Sequence, residues 1–181
     1  MLSFLTLVAC LDLPDPTSLP SDLLPTPEAT DIRVETEGTV WYLEPEGPAV
    51  LTRYLGETEV LTLQATGDVS SLGLAIAKPT PLAVGDTFPL GRWGDTSTAS
   101  NGIAIGGLVG LEPIGLTTDH PDDLAPVGTV TITTLDEVVG LVFDGELFRE
   151  DAPDDAPVLQ AVSGEVADIA VERETVDAPA P

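Results

Sequence analysis

Apolar and polar residues alternate along residues 57–66, with Leu61, Leu63 and Ala65 on one side and Thr62 and Gln64 on the other. A period of two places one set on a buried face and the other in water, as in a half-buried strand. The pattern recurs in Ile32 and Val34 against Arg33 and Glu35, and in Val130 and Ile132 against Thr129, Thr131 and Thr133. Turn residues separate such segments, among them Pro45-Glu46-Gly47-Pro48 and Gly67-Asp68. No run of ten or more residues carries a convincing helical period. These features predict an all-β fold: a single antiparallel β-sandwich or partly open barrel with long irregular loops.

Residues 38–44 and 48–54 read as further strands, with Trp41 in the core. In 72–78, Leu72, Leu74 and Ile76 share one side, and small Gly73, Ala75 and Ala77 the other, where something is expected to pack closely. Asn101-Gly102 is the strongest short hairpin signal, set between 96–100 and 103–105. Residues 108–116 suggest one strand interrupted by Gly110 and Pro113, and 117–126 an acidic loop with a helical turn capped by Asp119. The clearest hairpin joins 128–135 to 138–148 through Asp136-Glu137, with Phe143 entering the core. A last strand spans 158–173. In it Ala167, Ile169 and Val171 face in, Asp168, Ala170 and Glu172 face out, and Gly164 marks a bulge.

The chain opens on an uncharged apolar run that ends in Leu7-Val8-Ala9-Cys10. An aliphatic residue, a small or aliphatic residue and a small residue before a cysteine resemble the lipobox of bacterial lipoproteins. That resemblance implies removal of residues 1–9, with Leu7, Val8 and Ala9 as the signal-peptidase recognition residues and Cys10 as the lipidated N-terminus. The run is too short to span a bilayer, which takes about 20 apolar residues. It departs from the usual signal in having no Lys or Arg in its first residues. Pro14, Pro16, Pro20, Pro25 and Pro27 then exclude a helix or central strand. Residues 10–31 are accordingly expected to be a Pro-rich acidic tether reaching up to roughly 65 Å. A domain over 32–173 and a polar frayed tail over 174–181 complete the expected organisation.

Asp and Glu number 31 against six Lys and Arg, a formal net charge of −25. Such a surface repels nucleic acid, whose binding rests on cations neutralising phosphates. It repels anionic headgroups too, so membrane attachment has to come from the lipid at Cys10. Cys10 is the only cysteine, which excludes intrachain disulfides, a cysteine-rich zinc site and a redox pair.

Candidate chemistry is sparse. His120, the only histidine, has no G-x-S-x-G companion. Asp119, Asp122 and Asp123 place three carboxylates within five residues, and Asp151, Asp154 and Asp155 repeat the theme. Either loop could offer oxygens to calcium, yet neither has the EF-hand arrangement, and a solvated acidic loop is the competing reading. A dispersed carboxylate pair for glycoside hydrolysis is a further alternative, set against an aromatic fraction of 4%. Trp93 beside Arg92 is the candidate exposed binding contact, with a packed loop anchor as its rival.

GTVTITTLDEVVGLVFDGELF followed by SGEVADIAVE is similar to small all-β domains of uncharacterised predicted bacterial lipoproteins, over about residues 128–172. The expectation is therefore a lipid-anchored cell-envelope lipoprotein with a non-enzymatic binding or structural β domain. No cofactor is expected, and the partner in the envelope is open. Leu11 after the cysteine favours the outer membrane of a diderm cell, with Asp12 one place later leaving that in question. The alternatives are a calcium-binding or calcium-stabilised module and a hydrolase.

Overall fold

The computed structural model describes residues 32–54, 58–91, 100–119, 126–153 and 156–177. Leu7, Val8, Ala9, Cys10, Arg92, Trp93, His120, Asp122, Asp123, Asp154 and Asp155 lie outside the described residues. So do the helical turn expected after Asp119 and most of the strand expected at 96–100.

Strands β1 (Ile32–Thr36) and β2 (Thr39–Pro45) form a hairpin across Glu37-Gly38. Both turn residues have positive φ, 48° and 74°. A two-residue turn of that hand matches the twist of the strands it joins, and Gly38 meets the requirement without a Cβ penalty. The chain continues through β3 (Ala49–Tyr54), β4 (Glu59–Gly67), β5 (Ser70–Lys78) and short β6 (Thr87–Pro89). After these come β7 (Ser100–Val109), β8 (Glu112–Thr117), β9 (Val127–Leu135), β10 (Val138–Arg149) and β11 (Leu159–Val176). The fold is all-β, with no helix among the described residues.

All the strands belong to one sheet, ordered β2-β1-β11-β3-β4-β5-β7-β8-β10-β9-β6, which extra β2–β4 and β11–β10 pairings fold back on itself. One layer then holds β2, β1, the first part of β11, β10, β9 and β6. The other holds β3, β4, β5, β7 and β8. Strand β11 links them, pairing with β10 and β1 early and with β3 over 171–176. On the far side β8 meets β10 only at Thr117↔Phe148 and Leu116↔Arg149, so the ring is partial and no regular barrel forms. The inward faces share one core that includes Ile32, Leu61, Ile76, Ile103, Ile132 and Leu141. Trp41 is buried in it, and its indole N–H donates to the Leu108 carbonyl of the opposite layer at 3.2 Å.

Several expectations need correction. The sheet is not wholly antiparallel: β11 runs parallel to β3, from Val171↔Ala49 to Val176↔Tyr54. A strand long enough to cross from one layer to the other arrives in a direction that the β3–β4 hairpin has already fixed. The same pairing carries β11 to Val176, so the strand runs into the expected tail. Its bulge lies at Ala167-Asp168, between the pairs Ile169↔Val139 and Val166↔Leu141, with Asp168 at φ 56°. Val166 therefore occupies the core place expected of Ala167, which is half-buried, while Ile169 is buried as expected. Gly164 instead pairs with Phe143, whose ring covers it so closely that a Cβ would overlap the ring.

Asn101-Gly102 is no turn; both residues lie within β7. Asn101 is buried and its amide donates to the Pro89 carbonyl, a tertiary bond that outweighs the local turn preference. Residues 108–116 are likewise two strand ends around a turn at Gly110-Leu111, where Gly110 has φ 64°. The small residues in that segment mark a hairpin, not an interrupted strand.

Candidate functional site

Outward-facing residues of the second layer form a grid fixed by register. Thr62, Ala75 and Gly102 make one row, and Gln64, Gly73, Ala104 and Thr117 the next; Thr66, Ser71, Gly106 and Gly115 follow. Alternation places these positions outside because Leu61, Leu63, Leu72, Leu74, Ile103 and Ile105 occupy the core. With small residues on the two central strands the face is a shallow trough. Two concavities of about 350 and 290 Å³ share Gln64, Gly73 and Ala104. Of the small side of residues 72–78, Ala77 is buried, but Gly73 and Ala75 are half-buried on this surface. A Cβ at Gly73 would meet nothing within 4 Å, so the close packing expected there is absent at Gly73.

The trough is uncharged along its floor and acidic at its ends. Glu46 and Glu150 border one concavity and Asp119 the other. The Glu150 side chain lies against Gly115, where a Cβ would displace it. Hydrogen-bonding groups along the floor are hydroxyls and one amide, and no aromatic ring lines either concavity. Such a floor can accept a flat or extended polar ligand through hydrogen bonds. Acid–base hydrolysis requires two carboxylates in unlike environments. Glu46 and Glu150 are both exposed, so nothing in their burial assigns them separate roles.

A second polar group closes one open end of the sandwich. Glu59 is 4% exposed. Its Oε1 accepts from Arg53 Nε at 2.9 Å and Nη2 at 2.6 Å, and its Oε2 from the Leu82 backbone N–H at 2.8 Å. A buried carboxylate persists only when paired and hydrogen-bonded in this way. Lys78, the sole lysine, reaches both carboxylate oxygens of Asp86 at 2.9 and 2.8 Å. Partial burial raises the Asp86 pKa, but the Lys78 hydrogen bond and charge and the Ala83 N–H together outweigh it and hold the carboxyl below its ordinary range. These groups fasten residues 79–86 to β4 and β5. Sequence reasoning missed Glu59 because nothing local distinguishes it from the chain's other acids; Gln160 was hidden in the same way, whereas Asn101 stood out only as a turn residue, and both are buried.

Of the residues singled out from sequence, Asp119 is exposed, and its backbone N–H donates to Thr117 Oγ1 at 3.1 Å. Asp151 is held by Arg149 through bonds of 2.9 and 2.7 Å. That two-pronged hydrogen bond lowers its carboxyl pKa. No group of three or more metal-binding side chains occurs among the described residues.

No family model matches the chain, and neither a curated protein nor a solved structure matches it.

Proposed function

We propose that the protein is a lipid-anchored cell-envelope lipoprotein whose β domain has a non-enzymatic binding or structural role. The observation that carries the reading is Leu7-Val8-Ala9-Cys10, where the chain's only cysteine closes an apolar run and a proline-rich segment follows. Acylation at Cys10 would supply the attachment that the whole chain's net charge of −25 opposes. One chain attaches only marginally, whereas several, at about 0.8 kcal/mol per buried CH₂, anchor stably. In this reading the tether carries the sandwich away from the bilayer, on the outer membrane of a diderm cell, and the trough of the second layer faces the envelope as a contact surface.

The test is metabolic labelling with a palmitate analogue together with membrane fractionation. Wild type should label and partition into detergent, and Cys10→Ser should do neither. Retention of the Cys10→Ser protein in the membrane fraction would refute the lipobox reading.

A further inference from the structure

Strand β2 is an edge that is paired on one side only for most of its length. Toward β1 it pairs from Leu43↔Ile32 to Thr39↔Thr36, but toward β4 only at Glu44↔Thr66 and Pro45↔Ala65. Glu46 N–H donates to the Gln64 carbonyl on the β4 side. Backbone groups alternate in direction along a strand, so the even-numbered residues of β2 point that way. Val40 and Tyr42 thus turn their amides away from β1 at a place where no strand of the sheet pairs with them. Gly67 backs against the Tyr42 carbonyl, since a Cβ there would lie 2.7 Å from its oxygen. The groups left for a new partner are the Val40 N–H and C=O and the Tyr42 N–H.

These groups open onto a groove of about 600 Å³ between β2 and the tip of the β4–β5 hairpin. Tyr42, 46% exposed, and Val69, 52% exposed, provide its apolar surface. Glu44 and Asp68 line it as well, and no cationic side chain pairs with either among the described residues. An exposed strand edge is a template for an added strand. The charge around it selects among candidates, because a second copy of a −25 chain would bring carboxylates against carboxylates.

We propose that the β2 edge captures an extended basic segment of a partner protein by strand addition. In the antiparallel sense the incoming residue opposite Val40 exchanges two backbone hydrogen bonds with it, and Tyr42 N–H donates a third. Main-chain bonds of this kind supply affinity while side chains supply specificity. Apolar side chains of the segment lie against Tyr42 and Val69, and its Lys or Arg residues meet Glu44 and Asp68. This rests on the binding role proposed above and is independent of the lipid anchor.

The probe is an acetylated, amidated heptapeptide alternating Lys with Val, compared with its Glu-for-Lys counterpart, titrated into the full chain. Calorimetry gives the affinity, and amide hydrogen exchange reports on Val40 and Tyr42. Saturable binding of the Lys peptide, protection of the Val40 amide and no binding of the Glu peptide are expected. Val40→Pro removes the outward donor without touching the β1 ladder, as proline is tolerated on an edge, and should weaken binding at least tenfold. Glu44→Gln with Asp68→Asn leaves the backbone edge intact and should weaken it severalfold, which keeps the test decisive if Val40→Pro misfolds. Equal binding by wild type and the Glu44→Gln, Asp68→Asn variant, or absence of saturable binding, would overturn the proposal. So would Val40 protection that grows with protein concentration in the absence of peptide, because the edge would then serve a second copy. Each of these failures leaves the outcome of the Cys10→Ser experiment untouched.

Discussion

The two layers of the sandwich bury alike and face outward differently. Inside, Val130, Ile132, Leu141 and Val166 of the first layer meet Leu61, Leu74, Ile76 and Ile103 of the second, all within one core. Outside, a first-layer row reads Tyr42, Arg33, Glu165, Val142, Thr131 and Thr87 across the strands. The corresponding second-layer row reads Gln64, Gly73, Ala104 and Thr117. Burial fixes the inner faces, because any strand on this core must be apolar there. Solvent leaves the outer faces free, and of these two rows only the first carries aromatic and charged side chains. Glycine within a strand costs roughly 0.5–1 kcal/mol relative to alanine. A central face carrying Gly73, Gly102, Gly106 and Gly115 therefore gives up stability that ordinary strand residues would have supplied.

The largest effects should come from the shared interior. Leu141→Ala in the first layer and Ile103→Ala in the second each remove a fully buried side chain and should each cost about 2–5 kcal/mol in urea denaturation. Two separate unfolding transitions in either variant would show that the layers do not share one cooperative core. Next come two glycines that should respond with opposite sign. Gly164→Ala drives a methyl into the Phe143 ring and should destabilise by about 1–3 kcal/mol. Gly73→Ala puts its methyl into open space at an ordinary backbone angle, and its unfolding free energy should rise by roughly 0.5–1 kcal/mol. A loss at Gly73 would mean that the small second-layer face is needed for folding, and the contrast between faces would collapse.

The smallest effect concerns the Lys78–Asp86 clasp at the end of the sandwich. Because the folded pKa of Asp86 is lowered, its contribution is complete above the ordinary carboxylate value of 3.8 and is lost as pH falls through the lowered folded value. Lys78→Met should reduce stability by about 0.2–1 kcal/mol at neutral pH, and the deficit should shrink on acidification through that window. A deficit independent of pH would assign the effect to packing of the lysine stem.

The alternating pattern by itself determined that the chain is all-β. It also determined which residues point inward in most strands, since a period of two is a local property that burial enforces residue by residue. Trp41, Ile132 and Phe143 were legible as core on those grounds, and the small side of residues 72–78 was the one local sign of the trough. Tertiary structure alone decided the rest. Asn101-Gly102 carries a turn signal and yet sits in β7, because a bond to the Pro89 carbonyl is a long-range gain that local preference cannot register. The bulge at Ala167-Asp168 shifts the inward register from Ala167 to Val166, and it is set by pairing with β10, far away in the chain. The parallel join of β11 to β3, the burial of Glu59 and the unpaired stretch of β2 share that origin. Each depends on which strands become neighbours, and strand pairing is a choice among distant segments that composition and spacing leave open.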